Sequence, residues 1–144
     1  DYDMHIGGML TSGCDVWLNN PIRPMEASGT SGMKPTLHAG INCSILDGWW
    51  REGYNGANGW AIGTDDSHPD QKFQDDMDAE SLYDILENEI IPLFYDRSSG
   101  NMPLEWIGRM KESIRTLAPE FSMRRMVKDY ATDLYFELID KNSA

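Results

Sequence analysis

The sequence predicts an α/β fold, and three observations carry that prediction. Short strand-like runs at 16–18, 41–46 and 60–63 alternate with helical pieces over the first 64 residues, a stretch dense in Gly and Pro. Strand, Gly-rich loop, helix, strand is the order of a unit built on a parallel sheet. After residue 79 the pattern turns helical, with apolar residues recurring every three or four positions. At 144 residues, 40% hydrophobic and with five Trp, the chain has the material for about one domain with a core.

Met4 to Thr11 reads as a short helix stopped by Gly13. Val16-Trp17-Leu18 reads as a brief buried strand running into the turn Asn19-Asn20-Pro21. A second helix is expected over 31–39 and a second strand over 41–46. Asn58-Gly59 marks a turn before the third strand. Residues 65–78 hold six Asp and read as a hydrated surface loop, with Asp78 capping the helix that follows. A calcium loop would need tighter alternation and a Gly at its sharp turn. Leu82, Ile85, Leu86 and Ile90 then share a helix face, and Pro92 kinks or ends that helix. Residues 104–117 place Ile107, Met110 and Ile114 on another. Ser122 is a good N-cap for the last helix, Phe121 can staple onto Met126, and one broad apolar face runs from Met123 to Leu138. The expected organisation is an α/β portion at 1–64, an acidic loop at 65–78 and packing helices at 79–144. Asp1 rather than Met opens the chain, as expected of a piece of a longer polypeptide.

Twelve Lys and Arg against 24 Asp and Glu give a net charge of −12. That argues against nucleic acid and anionic membrane as partners, since both need basic surface. No apolar run approaches the ~20 residues of a membrane span, and no signal-peptide pattern is present. Cys14 and Cys43 lie among apolar neighbours without a Cys-x-x-Cys pair, which reads as reduced, buried thiols of a cytoplasmic protein. His5, His38 and His68 lack metal-ligand spacing, and no metal is expected. Trp49, Trp50 and Trp60 have two readings, stacking on sugar rings or packing beneath the loop, and packing is the commoner fate of Trp.

The chemistry concentrates in Glu26-Ala27-Ser28-Gly29-Thr30-Ser31-Gly32-Met33-Lys34. Small residues and two glycines let main-chain N–H groups approach a ligand. A helix starting at Thr30 or Ser31 would add its unpaired N–H groups and the positive end of its dipole. Together these make a cradle for an anion, most naturally a phosphate, with Lys34 about one turn away. The plain alternative is a Gly/Ser turn capping an ordinary helix, with Lys34 on the surface. A Walker loop fails on spacing, because only Thr30 and Ser31 separate Gly29 from Gly32 and Pro35 follows the lysine.

This nine-residue segment resembles the pyridoxal-phosphate attachment segment of the α-glucan (glycogen, maltodextrin and starch) phosphorylases. Its flanks are similar to the shorter bacterial branch of that family, through Asp15-Val16-Trp17-Leu18-Asn19-Asn20-Pro21, Leu46-Asp47-Gly48-Trp49-Trp50, Asn58-Gly59-Trp60, Phe94-Tyr95-Asp96-Arg97 and Arg125-Met126-Val127-Lys128-Asp129-Tyr130. The resemblance implies the distal half of a Rossmann-like C-terminal lobe of a two-lobed, GT-B-type glycosyltransferase, followed by C-terminal helices. It implies that Lys34 holds pyridoxal 5′-phosphate as an internal Schiff base, with Gly29, Thr30 and Ser31 against the cofactor or its phosphate. Glu26 would accept hydrogen bonds from glucosyl hydroxyls, with Ser28 and Gly29 lining the same sugar pocket; a carboxylate, being acceptor-only, suits that task. The implied reaction is reversible phosphorolysis of α-1,4-glucan ends by orthophosphate to glucose 1-phosphate, the cofactor's phosphate acting as acid and base and Lys34 as its anchor.

The implied partners are the glucan, orthophosphate and the N-terminal lobe of the same enzyme, with a homo-oligomer left open. Because the family's basic residues for substrate phosphate lie outside this segment, the piece alone is expected to be inactive. Pro35 after the lysine and His38 depart from the family's usual pattern, and Pro35 is tolerable only in a helix's first turn. Arg23 is expected at the surface. A glycogen- or starch-synthase-like transferase using a nucleotide sugar would carry a ribose-binding Glu where Lys34 stands, and a lysine cannot accept hydroxyls. A non-catalytic helical module would explain the 79–140 stripes but not the Glu26–Lys34 loop.

Overall fold

The computed structural model describes residues 1–97 and 100–142, with residues 140–142 through the backbone alone. Three parallel strands, β1 (Val16–Asn19), β2 (Ile41–Ile45) and β3 (Gly59–Ile62), lie in the order β1-β2-β3. Val16 faces Ile41, and Asn42 faces Gly59 across the other side of β2. The α/β class read from the sequence is therefore present.

The strand period of two sorts β2 into two faces. Ile41, Cys43 and Ile45 join Trp60 and Ile62 in one apolar cluster with Ile85, Ile90 and Trp106. Asn42 and Ser44 alternate with them and are also buried. A second cluster gathers Trp49, Trp50 and Leu117, with Phe121 edge-on to Trp49 at a centroid distance of 5.0 Å. All three candidate sugar-stacking residues, Trp49, Trp50 and Trp60, are thus packed inside. β1 differs from expectation. Among the described residues it has a partner on one side only, and Leu18 is 50% exposed.

The helices carry the larger corrections. α1 (Met4–Gly13) forms where expected, capped by Asp3. The helix expected over 31–39 shrinks to the single turn α2 (Met33–Thr36), and α3 (Trp49–Gly53) was not foreseen. Residues 71–78 are not loop. α4 (Gln71–Ile85) begins at Asp70, whose carboxylate accepts the N–H groups of Lys72 and Phe73. Asp78, the expected cap, lies inside α4 and meets Arg23 at 2.6 Å. Arg23 is buried rather than at the surface, with side-chain exposures of 4% and 14% for the pair.

The helix also continues past Pro92. A π-helical turn at Leu86–Ile90 comes first and α5 (Ile91–Tyr95) follows. The wider turn accommodates a ring that has no N–H to donate and would press on the preceding turn's carbonyl. It also presents Glu89 to Trp60, whose ring N–H donates to the carboxylate at 3.0 Å. In α6 (Leu104–Glu120) the buried face is Trp106, Ser113 and Leu117, while Ile114 is 40% exposed. Ser122 does cap α7 (Met123–Tyr130), accepting from Arg125 N–H. A second π-helical segment, Ala131–Phe136, leads into α8 (Glu137–Asn142).

Two outcomes follow from this core. Asp78→Ala would strand a buried guanidinium and is expected to cost about 3–5 kcal/mol in chemical denaturation, with Arg23→Met in the same chain recovering part of it. Burial pushes the Cys43 thiol up to about 12. Iodoacetamide near neutral pH should therefore modify Cys14, which is only partly buried, well before Cys43, whose labelling should await unfolding.

Candidate functional site

The segment Glu26–Lys34 connects β1 to β2 and has little regular structure of its own. Its last part coils through two loose turns, Met33 N–H to the Thr30 carbonyl and Lys34 N–H to that of Ser31, both 3.3 Å. Its shape is imposed by residues beyond it in sequence. Asp47, two residues past β2, accepts Glu26 N–H at 3.0 Å through one carboxylate oxygen and Gly48 N–H at 2.9 Å through the other. Trp49 N–H donates to the Ser28 carbonyl at 2.8 Å. Asn42 on β2 donates its side-chain amide to the Gly32 carbonyl at 2.9 Å and reaches Thr36 Oγ1 at 3.4 Å.

The close approach depends on two glycines in particular. Gly48 has φ +52, and a Cβ there would collide with the Ser28 carbonyl. Gly29 has φ +74 and lies under the Glu26 carboxylate, whose Oε1 is 2.5 Å from where a Cβ would stand. Glu26 is therefore folded back over its own loop.

Six successive main-chain N–H groups, Ala27 to Gly32, donate to no acceptor among the described residues. Lys34 is exposed, and no hydrogen bond or ion pair engages its amine among the described residues. It lines a groove of about 490 Å³ whose near wall includes Ser28, Thr30 and Met33 and whose far wall includes Leu117, Phe121 and Met126. Arg125, another cation on that groove, is held by Asp129 at 2.7 Å. Pro35 is buried as the third residue of α2, inside its first turn, and His38 is exposed.

No family model matches the chain, and no solved structure matches it significantly. Curated sequences do. The glycogen phosphorylase of Aquifex aeolicus is 49% identical over 139 residues, covering 96% of this chain and 20% of that protein. The maltodextrin phosphorylase of Thermococcus litoralis is 51% identical over 135 residues, 94% of this chain and 16% of that protein. The glycogen phosphorylase of Mycobacterium tuberculosis is 47% identical over 135 residues, with the same two shares. The chain belongs to the glycogen and maltodextrin phosphorylase family. It spans a fifth or less of the length of these curated relatives.

Within this phosphorylase segment the residues singled out from sequence fall into two groups. Ser28, Thr30 and Lys34 share the groove. Glu26 and Gly29 lie together toward Asp47 and Gly48 and do not line it, and Ser31 is exposed beside it. The expected helix N-terminus is absent, because α2 starts at Met33 and is one turn long. Any anion recognition rests on loop amides rather than on a helix dipole.

Three supporting residues were not anticipated: Asp47, Asn42 and Thr36. Asp47-Gly48 after a strand carries the mark of a side chain turning back on its own backbone, and Asn42 alternates with Ser44 inside an otherwise apolar strand. Gly48→Ala should displace Ser28 from Trp49 and destabilise the chain by about 1–3 kcal/mol, read as a lower denaturation midpoint.

Proposed function

We propose that the chain works as the cofactor-anchoring part of a longer α-glucan phosphorylase, with Lys34 as the attachment point for pyridoxal 5′-phosphate. The observation that carries this reading is the run of six undonated amides, Ala27 to Gly32, beside an amine with no partner among the described residues. A phosphate fits such a run, since it accepts several N–H bonds at once. An amine free of ion pairs is free to bond a carbonyl carbon. When bound, the cofactor supplies a phosphate whose second pKa, near 6, suits proton exchange with orthophosphate.

The chain's own residues would then divide the work. Lys34 fixes the cofactor's position, while Gly29, Thr30 and Ser31 offer main-chain donors to it or to its phosphate. Glu26, with its backbone pinned by Asp47, presents an acceptor-only carboxylate for glucosyl hydroxyls, and Ser28 and Gly29 border the same sugar. The wall formed by Leu117, Phe121 and Met126 keeps water from one side of the lysine's turn.

The substrates under this reading are an α-1,4-glucan with orthophosphate, or glucose 1-phosphate in reverse. The three parallel strands support assignment to the distal half of a Rossmann-like lobe of GT-B type. The exposed apolar face of the last helices supports docking against the enzyme's N-terminal lobe. The segment alone is inactive.

Borohydride reduction of the full-length protein, followed by peptide mass spectrometry, is expected to place a pyridoxyl group on Lys34. Lys34→Ala should abolish that label and lower phosphorolysis at least a thousandfold. A label on another lysine would remove the assignment.

A further inference from the structure

We propose that Asn42 is a positioning residue for Lys34, an inference that rests on reading Lys34 as the cofactor's anchor. Asn42 is the second residue of the central strand, between Trp17 on β1 and Gly59 on β3, and is 1% exposed. A buried amide is costly unless its polar atoms are paired, and a core strand gains nothing from one that an aliphatic side chain would not supply. Here the amide has a specific employment. Its Nδ2 donates to Gly32 O at 2.9 Å and lies 3.4 Å from Thr36 Oγ1, two residues before and two residues after the lysine. One side chain on the most fixed strand of the sheet therefore brackets Lys34.

That bracket matters because α2 cannot hold itself in place. A single helical turn has negligible intrinsic stability, and its N-cap, Gly32, supplies no side-chain hydrogen bond. The fit at Gly32 is also close, since a Cβ there would lie 2.5 Å from Asn42 Oδ1 and 3.1 Å from the Trp49 ring. Asn42 Oδ1 is buried with no hydrogen-bond partner among the described residues, the kind of cost a purely packing residue would not carry. The amine reaches out on four methylene groups, so small rotations of the turn sweep it through several ångströms. Fixing the backbone at Gly32 and Thr36 sets the arc on which the amine can meet a cofactor aldehyde.

The test compares three forms of the full-length protein: unmodified, Asn42→Leu and Thr36→Val. Leucine keeps the volume and removes the donor; valine keeps the shape of Thr36 and removes one acceptor. Each is titrated with pyridoxal 5′-phosphate, and the yield of borohydride-trapped Lys34 is followed against pH, alongside circular dichroism and thermal midpoint. Folded Asn42→Leu is expected to lose about tenfold in trapped yield at fixed cofactor, the equivalent of one or two hydrogen bonds. Thr36→Val should lose about two- to threefold, and both should shift the pH midpoint of trapping.

A purely structural role would lower the thermal midpoint while leaving yield and pH midpoint unchanged in the folded protein, and that result overturns the proposal. If Asn42→Leu does not fold, Thr36→Val decides alone, and unaltered trapping in it is equally fatal. Absence of any label on Lys34 in the unmodified protein would instead overturn the cofactor reading, and this inference with it.

Discussion

The Asp47 carboxylate, accepting one main-chain N–H from Glu26 and another from Gly48, is the constraint on which the shape of the loop depends. A hydrogen bond to a charged acceptor contributes about 1.5–3 kcal/mol, more than the loose 3.3 Å turns the loop makes within itself. Once Asp47 holds Glu26, the positive φ of Gly48 turns the next peptide so that Trp49 N–H meets the Ser28 carbonyl. Both ends of the Glu26–Ser28 stretch are then fixed by Asp47, Gly48 and Trp49, just past the central strand.

The same strand serves two environments because its side chains alternate. Ile41, Cys43 and Ile45 enter the larger apolar cluster, while Asn42 and Ser44 are buried between them and Asn42 reaches the lysine's turn. α6 links the two regions, with Trp106 in the larger cluster and Leu117 in the smaller one beside the groove. Arg109, on the same helix, stacks 4.6 Å from the Trp60 ring centre and donates to the Gly59 carbonyl at 2.6 Å. Asn58 adds a further tie, donating to the Gly53 carbonyl and to Thr116 on α6. A change in α6 packing would therefore reach the far wall of the groove through Leu117 rather than through the loop itself.

The strands were legible because each is a short apolar run bounded by Gly, Asn or Pro, and the motif was legible as a string. The helices are less legible in the sequence, for physical reasons. Asp70 and Asp78 are both plausible caps by residue type. Only the tertiary pairing of Asp78 with Arg23, 55 residues away, draws it into the helix and leaves Asp70 to cap. Ile114 fits a helical stripe by spacing, but the buried face is set by Trp106, whose ring packs against Trp60 and Phe94 and fixes the rotation of α6. The turn at Lys34 is shorter than its sequence suggests, because Thr36-Leu37-His38 continues a helical pattern whereas Ala39 adopts φ +66 and closes the turn before β2. Asn42 and Asp47 stayed hidden because their roles consist of main-chain contacts, which residue type alone does not announce.

Charge sets a last condition on the site. The chain carries −12, and the undonated groups of the loop are neutral amides, so under the proposed function the loop would offer geometry to a phosphate without balancing its charge. Of the two cations on the groove, Arg125 is already committed to Asp129, and under the proposed function Lys34 would no longer stand there as a free ammonium. Two phosphoryl groups side by side, cofactor and substrate, would bring about three negative charges into one pocket near neutral pH. Such a pocket needs several cations at close range, since an unpaired desolvated charge is costly. Under the proposed function those cations come from the greater part of the phosphorylase that lies outside this chain, which is the physical reason the segment can be well folded around its lysine and still be inactive alone.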